Sequence, residues 1–314
     1  MRDADAIGHR VVHGGRRFTG PVRLTHEVTD ALRELTPLAP LHQPAALDAM
    51  AAVAAVHPEL PAVACLDTAF HSHLPDAAAT YALPLEWRER HPLRRFGFHG
   101  LSHAYASRRA ADVLGRSHER LRVVSCHLGA GASLCAIAGG RSVDTTMGFT
   151  PLEGVPMATR AGSVDPGALL YLLEHHLTLE SLNRILELES GLAGLSGLSG
   201  DVRELEASET PEARLALAVF AYRVATAAGA MATALDGLDA IVFTAGIGEN
   251  SASIRAAVCE RLGFLGVELD TDANASARPD ATVSTPESPV RVIVLEARED
   301  VVAARAARQL LGVS

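Results

Sequence analysis

"RVVSCHLGAGASLCAIAGG", residues 122–140, decides how this chain is read. β-Branched and apolar residues stand on either side of a Gly-Ala-Gly turn, so the stretch reads as two strands joined tightly. The pattern over 126–147 extends this hairpin toward a meander. Further strands are expected at 61–70, 239–248 and 290–297, and helices at 103–115, 212–235, 253–266 and 299–312. Strands that alternate with helices define an α/β protein. "DAIGHRVVHGG" (5–15) reads as the end of a core strand running into a glycine loop close to Met1. No 20–50-residue repeat and no low-complexity linker divides the chain.

The 314 residues suffice for two domains or one large one, and 48% hydrophobic content supports a sizeable core. A net charge of −9, with no lysine-rich run, argues against nucleic acid as a partner, because neutralising phosphates needs clustered cations. An anionic substrate would have to be held by individual arginines and backbone N–H groups. No uninterrupted apolar run of about 18 residues is present, so no membrane span is expected. The start lacks the apolar core of a signal peptide. Cys65, Cys126, Cys135 and Cys259 form no CxxC and sit in apolar surroundings, as free buried thiols of a cytoplasmic protein would.

Four groups of residues carry possible chemistry. "HLGAGAS" (127–133) can aim several N–H groups at one anion, or be only a hairpin turn. In "FTAGIGENS" (243–251), Gly246 and Gly248 allow close backbone approach to a ligand, with a helix expected to start after Asn250 or Ser251. The same pattern serves an ordinary strand-to-helix turn with a polar N-cap; the GxGxxG spacing of dinucleotide sites is absent. Arg10 and Arg160 stand in small-residue loops, where a guanidinium could clamp a carboxylate or phosphate, or make a surface ion pair. Asp67 closes a hydrophobic run, where a strand-to-helix loop would present it at a sheet edge. With His71, His73, His99 and His103 it admits a rival reading, a metal-dependent hydrolase, though no HExxH occurs.

Taken in order, "GHRVVHGG", "LAPLHQPAAL", "DTAFH", "RFGFHGLSH", "HLGAGAS", "SVDTTMGFTPLEG", "MATRAGSVDP", "SGLAGLSGLSGDVRE" and "FTAGIGENS" resemble the acetate kinase family over nearly the whole chain. The resemblance implies two RNase H-like domains of the actin-like ATPase superfamily that close around ATP. The expected limits are 1–67 plus 301–314 for the first domain and 68–300 for the second. It implies reversible transfer of phosphate from ATP to acetate, giving acetyl phosphate and ADP, with propionate the alternative acceptor, Mg²⁺ (or Mn²⁺) as cofactor, and a cytoplasmic homodimer.

Residue by residue, Arg10 and Arg160 match the arginines that hold the carboxylate and the phosphoryl group. His99 matches the histidine that stabilises transition-state charge, Asp67 the active-site aspartate, and Glu299 the glutamate that binds the metal. Val12, Leu41, Phe98 and Pro151 match the pocket for the acetate methyl. His127, Gly129, Ala130 and Gly131 match the phosphate loop. Asp201, Val202 and Arg203, with Gly246, Ile247, Gly248 and Asn250, match nucleotide-binding positions.

The chain departs from the family pattern at several places. Ala130, Gln43 and Ala46 stand where asparagines are usual, Ala158 and Ala161 where glycine and serine are, and Arg298 precedes Glu299 in an unusual "EARED". Nothing before Arg10 matches the family's N-x-G-S-S-S-x-K loop. The resemblance therefore implies an incomplete first domain and a kinase of weak turnover as the chain stands.

Overall fold

The computed structural model describes residues 4–40 and 42–312. Nine strands, β1 (Ile7–Val11), β2 (Val22–Arg23), β3 (Ala62–Leu66), β4 (Arg122–Leu128), β5 (Ala132–Ala138), β6 (Arg141–Thr145), β7 (Ala240–Thr244), β8 (Ala281–Thr282) and β9 (Arg291–Val294), form two sheets among the described residues.

The first sheet has the order β1-β3-β2, with β1 parallel to β3 and Arg10 in register with Cys65. Its two faces follow from the period of two along a strand. Ala64 and Leu66 of β3 pack with Val11, Leu32, Leu47 and Met50, beneath the helices His26–Glu34 and Gln43–Val56. Val63 and Cys65 point the other way, onto Ala303 and Ala307 of the helix Glu299–Leu311 and onto Leu101. Gly8 lets that last helix lie directly on β1, since a Cβ there would stand 3.0 Å from the Ala303 carbonyl oxygen.

The second sheet runs β6-β5-β4-β7-β9-β8. The first three strands are an antiparallel meander, and β4, β7 and β9 are parallel. β4 is covered on both faces, so Val123 to Leu128 are all buried, including Ser125 and His127. Val124, Cys126 and Leu128 enter the main core with Phe220, Val224 and Phe243. Val123 faces the helix Gly100–Leu114 with Ile137, Val242 and Ile293.

The longest helix, Pro211–Ala234, is long and apolar enough by composition to cross a membrane, a property the sequence reading did not pick out. Here Ala213, Ala216, Phe220, Val224, Ala228 and Met231, spaced by three and four, form a buried stripe in the main core.

Other expectations shift at the edges. The helix expected over 253–266 ends at Glu260, followed by a short 3₁₀ turn, Gly263–Leu265. The helix expected after Asn250 or Ser251 is there, but a shorter one precedes it. It begins at Ala245, immediately after β7, and runs to Asn250; helix restarts at Ala252 with Ser251 as N-cap to the Ile254 N–H. All four cysteines are buried free thiols.

Strands up to Leu66 belong to the first sheet and those from Arg122 onward to the second, while the C-terminal helix returns to the first. The carboxyl ends of β1, β3, β4, β7 and β9 deliver Arg10, Asp67, His127, Ala245 and Glu299 toward one cleft, the usual place for a site in parallel α/β sheets.

Candidate active site

Arg10 is the penultimate residue of β1, and Asp67 follows β3 directly, so parallel pairing sets them side by side. Arg10 Nε lies 3.0 Å and Nη2 2.8 Å from Asp67 Oδ2. Asp67 stands at the carboxyl edge of the sheet, directly after β3, but it does not face solvent. Its carboxylate is 1% exposed, whereas the Arg10 side chain is 42% exposed and reaches the cleft. Burial pushes the Asp67 carboxyl upward, and the ion pair with Arg10 opposes that push. The remaining Arg10 nitrogen, Nη1, lies 3.7 Å from Oε1 of Glu299, the first residue of the C-terminal helix.

Arg160 enters from the second sheet's side. Its Nη2 lies 2.9 Å from His42 Nε2, its Nη1 3.4 Å from the Pro151 carbonyl, and its Nε 3.4 Å from Glu187 Oε2. Burial, then the charges of Arg160 and Arg10, push the His42 imidazole downward, so it is neutral and accepts from the guanidinium.

His99 is the N-cap of the helix Gly100–Leu114 and takes a left-handed conformation with φ of 55°. That conformation needs a close packing partner. A Cβ at the next position, Gly100, would stand 2.1 Å from the Asp67 carbonyl oxygen, so only glycine lets the helix dock there. Burial first, then His127, His103, Arg10 and Arg160, hold the His99 imidazole well below its ordinary value. His127 stacks on it with ring centroids 4.3 Å apart and is pushed down to about 3 by burial. Two neutral imidazoles therefore lie between two guanidinia.

The glycine turn closes this end. Leu128 and Ala132 pair across it, and the Ala130 carbonyl accepts from the Ala158 N–H at 3.1 Å. A Cβ on Gly131 would stand 3.3 Å from His99 Nε2 and 3.7 Å from Arg160 Nη1, so the missing side chain leaves the space where imidazole and guanidinium converge. Phe98 and Pro151 are buried beside it and Val12 is half-buried. Leu41 lies outside the described residues.

On the far side of the turn is a cavity of about 650 Å³ lined by Gly129, Ala130, Ala158, Asp201, Val202, Arg203, Gly246, Ile247 and Asn250, among others. It gathers most of the expected nucleotide positions. Gly248 is the exception, buried against the Phe243 backbone, where a Cβ would stand 3.3 Å away. Asp201 caps the helix Val202–Ala207 through the Arg203 N–H and pairs with the Arg203 side chain.

Among the described residues, no three His, Cys, Asp or Glu side chains are placed to hold a metal together. The histidines of the rival reading bond elsewhere. His71 bridges Ser142 Oγ (2.8 Å) and the Phe98 carbonyl (2.9 Å), and His103 bridges Ser125 and Ser133 (2.9 Å each).

Sequence reasoning passed over His42 and Glu187 as members of the site, took Ser133 only as the end of the glycine loop and His103 only as a candidate metal ligand. The first was in view in "LAPLHQPAAL", but only the structure brings position 42 to position 160. Its neighbour Gln43 is buried and structural, its amide donating to the His13 and Leu32 carbonyls.

Two guanidinia and a neutral imidazole beside a cavity of about 650 Å³ suit the transfer of a phosphoryl group. The Acetokinase family matches residues 1–305. The acetate kinase of Synechococcus sp. (strain JA-2-3B'a(2-13)) is 52% identical over 308 residues, which cover 97% of this chain and 76% of that one. The acetate kinase of Rhodopseudomonas palustris (strain ATCC BAA-98 / CGA009) is 51% identical, covering 96% and 75%. Among solved structures, Porphyromonas gingivalis acetate kinase superposes with a TM-score of 0.93 at 40% identity, covering 98% and 78% of the two chains. A propionate kinase from Francisella tularensis gives 0.91 at 36%, covering 97% and 79%. The chain belongs to the acetokinase family.

Proposed function

We propose that this enzyme transfers the terminal phosphoryl group of ATP reversibly to acetate, forming acetyl phosphate and ADP. The observation that carries the reading is the meeting of Arg160 Nη1 and His99 Nε2 at Gly131, one turn away from the cavity lined by Asp201 and Gly246. A carboxylate is already ionised at neutral pH, so its attack on phosphorus needs no general base. The barrier is the approach of two anions and the charge on the equatorial oxygens. Arg10 and Arg160 screen that approach, His99 donates to the transferred group, and the turn's N–H groups hold the phosphates. Val12, Leu41, Phe98 and Pro151 enclose the acetate methyl, and the nucleotide occupies the cavity.

Glu299 fits a Mg²⁺ ligand. It is a hard oxygen donor, partly exposed at the mouth of the cleft, with its nearest cation 3.7 Å away rather than tightly paired. Mg²⁺ is commonly held by one or two carboxylates plus substrate phosphates. When bound there it would neutralise phosphate charge.

The working form is a cytoplasmic homodimer, and the division at 67/68 and 300/301 separates its two domains. The apolar helix Pro166–His175 has no buried residue, and Leu170, Tyr171, Leu179, Leu188 and Leu215 are exposed near or beyond it, a surface suited to a second copy. Light scattering of the purified chain tests this; a monomer at working concentration would refute it.

The activity is tested by trapping acyl phosphate with hydroxylamine, with ATP, Mg²⁺ and either acetate or propionate. Trapped product with acetate, lost on chelation, is expected. Product only with propionate would reassign the acceptor, and none with either would refute the reading.

A further inference from the structure

A file of four side chains leads from the cleft into the core of the second sheet. His99 Nδ1 lies 2.8 Å from Ser133 Oγ on β5. The same oxygen lies 2.9 Å from His103 Nε2, and His103 Nδ1 lies 2.9 Å from Ser125 Oγ on β4. Ser133, His103 and Ser125 are fully buried. His99 Nε2 is the end that faces the space beside Gly131.

Counting hydrogens gives the file a direction. Each neutral imidazole carries one N–H and each hydroxyl one O–H. Burial holds both His99 and His103 in the neutral form. If Ser133 accepted from both rings, its own buried hydrogen would have no acceptor among the described residues; otherwise the three contacts can be filled in two ways. In one, Ser125 donates to His103 Nδ1, His103 Nε2–H to Ser133, and Ser133 to His99 Nδ1, leaving His99 with Nε2–H toward the cleft. In the other, every donor is reversed, His99 offers a bare lone pair to the cleft, and the Ser125 hydrogen must find another acceptor. Among the described residues, Ser125 Oγ has no hydrogen-bond partner but His103. The reversed file thus ends on a buried donor with no acceptor, whereas the first leaves only spare lone pairs. An unmade buried donor is the costlier defect.

We infer that Ser133, His103 and Ser125 are positioning residues that lock His99 as its Nε2–H tautomer, a standing hydrogen-bond donor aimed into the cleft. The tautomer of a histidine is set by what its other nitrogen bonds, and here that setting is made in the core, before any ligand arrives. The anion meets a donor that needs no reorganisation, which is the condition for electrostatic preorganisation. The inference rests on the reading of His99 as donor to the transferred phosphoryl group.

The test is long-range ¹H–¹⁵N correlation on the full chain labelled with ¹⁵N-histidine, which distinguishes the two neutral tautomers. The His99 signals are identified by their loss in His99→Gln, and those of His103 by their loss in His103→Gln. Both rings should carry hydrogen on Nε2 and a bare Nδ1 without any ligand. Nδ1–H on His99, or a mixture of tautomers, overturns the inference. Ser133→Ala should release His99 into mixed tautomers and lower kcat at least about tenfold, with nucleotide KM changed by less than about threefold. Ser133→Thr, which keeps the hydroxyl, should restore the Nε2–H signature and most of the turnover. An unchanged His99 spectrum and kcat in Ser133→Ala would equally overturn the positioning role. If neither Ser133 variant folds, the wild-type spectrum still decides. A wild-type chain with the Nε2–H pattern but no kinase activity would sink the reaction assigned to this site while the tautomer assignment stood.

Discussion

The two ends of the cleft are built on opposite principles. At the transfer end, Arg10, Arg160 and His99 each have a fixed partner. Arg10 is locked to a buried Asp67, Arg160 is held by His42, Pro151 and Glu187, and His99 is bonded to Ser133. At the nucleotide end, Gly129, Ala130, Ala158 and Gly246 line the cavity beside Asp201, Val202, Ile247 and Asn250, and the cation among its described lining residues, Arg203, has a side chain 85% exposed and paired with Asp201 two residues earlier. Chemistry demands fixed donors at the reacting atoms, whereas binding a large, many-atom ligand can be shared among weak contacts. Sensitivity to substitution should therefore be steeply unequal between the ends.

The largest expected effect is at the arginines. Arg160→Ala and Arg10→Ala should each lower kcat about 10³-fold or more, and lysine should recover only part because it lacks the planar fork. The two should differ in stability. Arg10→Ala leaves the buried Asp67 carboxylate without its cation, at roughly 2 kcal/mol, below the figure for a fully buried pair because the guanidinium is 42% exposed. Urea denaturation beside steady-state kinetics checks both. Near-normal turnover in either alanine variant would place that arginine outside the chemistry.

Next comes acid. His71 is fully buried between Ser142 and the Phe98 carbonyl, and burial pushes it from 6.5 down to about 4. Its folded value is depressed, so the unfolded chain binds the proton more readily. The associated stability is fully present above about pH 6.5 and is lost as pH falls toward about 4. From His71 alone the loss should reach about 3 kcal/mol. Unfolding free energies measured across that window should fall steeply, and the slope should shrink in His71→Gln. A flat profile would show that the transfer end is not sealed from water.

What the sequence disclosed divides along the same line. β4 and β5 were readable because β-branched and apolar residues stand on both sides of one Gly-Ala-Gly turn, and Arg10, Arg160 and His99 because glycines and small residues bracket them. In "AGIGEN" the sequence suggests a strand running on to residue 248 and a helix only after Asn250 or Ser251, with the two glycines read as places of close backbone approach. A short helix forms there all the same, directly off β7, with Ala245 taking a φ of 65° to make the corner. The supporting residues were hidden for another reason. His42 touches a guanidinium 118 positions away, and Ser133 meets His99 across 34. No local period reports such pairings, and a lone serine in a strand reads as filler.

A third expectation concerns the acceptor. Phe98 and Pro151 are buried and Val12 half-buried, and these are the side chains proposed to enclose the acceptor's methyl group. One added methylene is worth about 1–3 kcal/mol in such a pocket, so propionate should be poorer than acetate by that amount in kcat/KM rather than excluded. Equal values for acetate, propionate and butyrate would show that these side chains do not enclose the methyl group.

The smallest effects come from one substitution made at both ends. Gly131→Ala places a methyl 3.3 Å from His99 Nε2 and 3.7 Å from Arg160 Nη1. The His99 imidazole must give by a few tenths of an ångström, while Arg160 stays at ordinary contact distance, and the space for the transferred group shrinks. Misplacement on that scale should lower kcat about tenfold, because the geometry at the reacting atoms is what the tied-down donors provide. Gly246→Ala adds the same methyl at the first turn of the helix Ala245–Asn250, where a Cβ meets nothing within 4 Å. Alanine also suits a helix better than glycine. The methyl enters a cavity of about 650 Å³ that has room for it, so nucleotide KM should change by no more than about threefold and kcat not at all. Measuring kcat and nucleotide KM for both variants side by side is the direct test of the contrast. Equal losses in kcat would mean that the nucleotide end is as rigidly specified as the transfer end, and that the open cavity tightens around its ligand into a site as exacting as the one at Gly131.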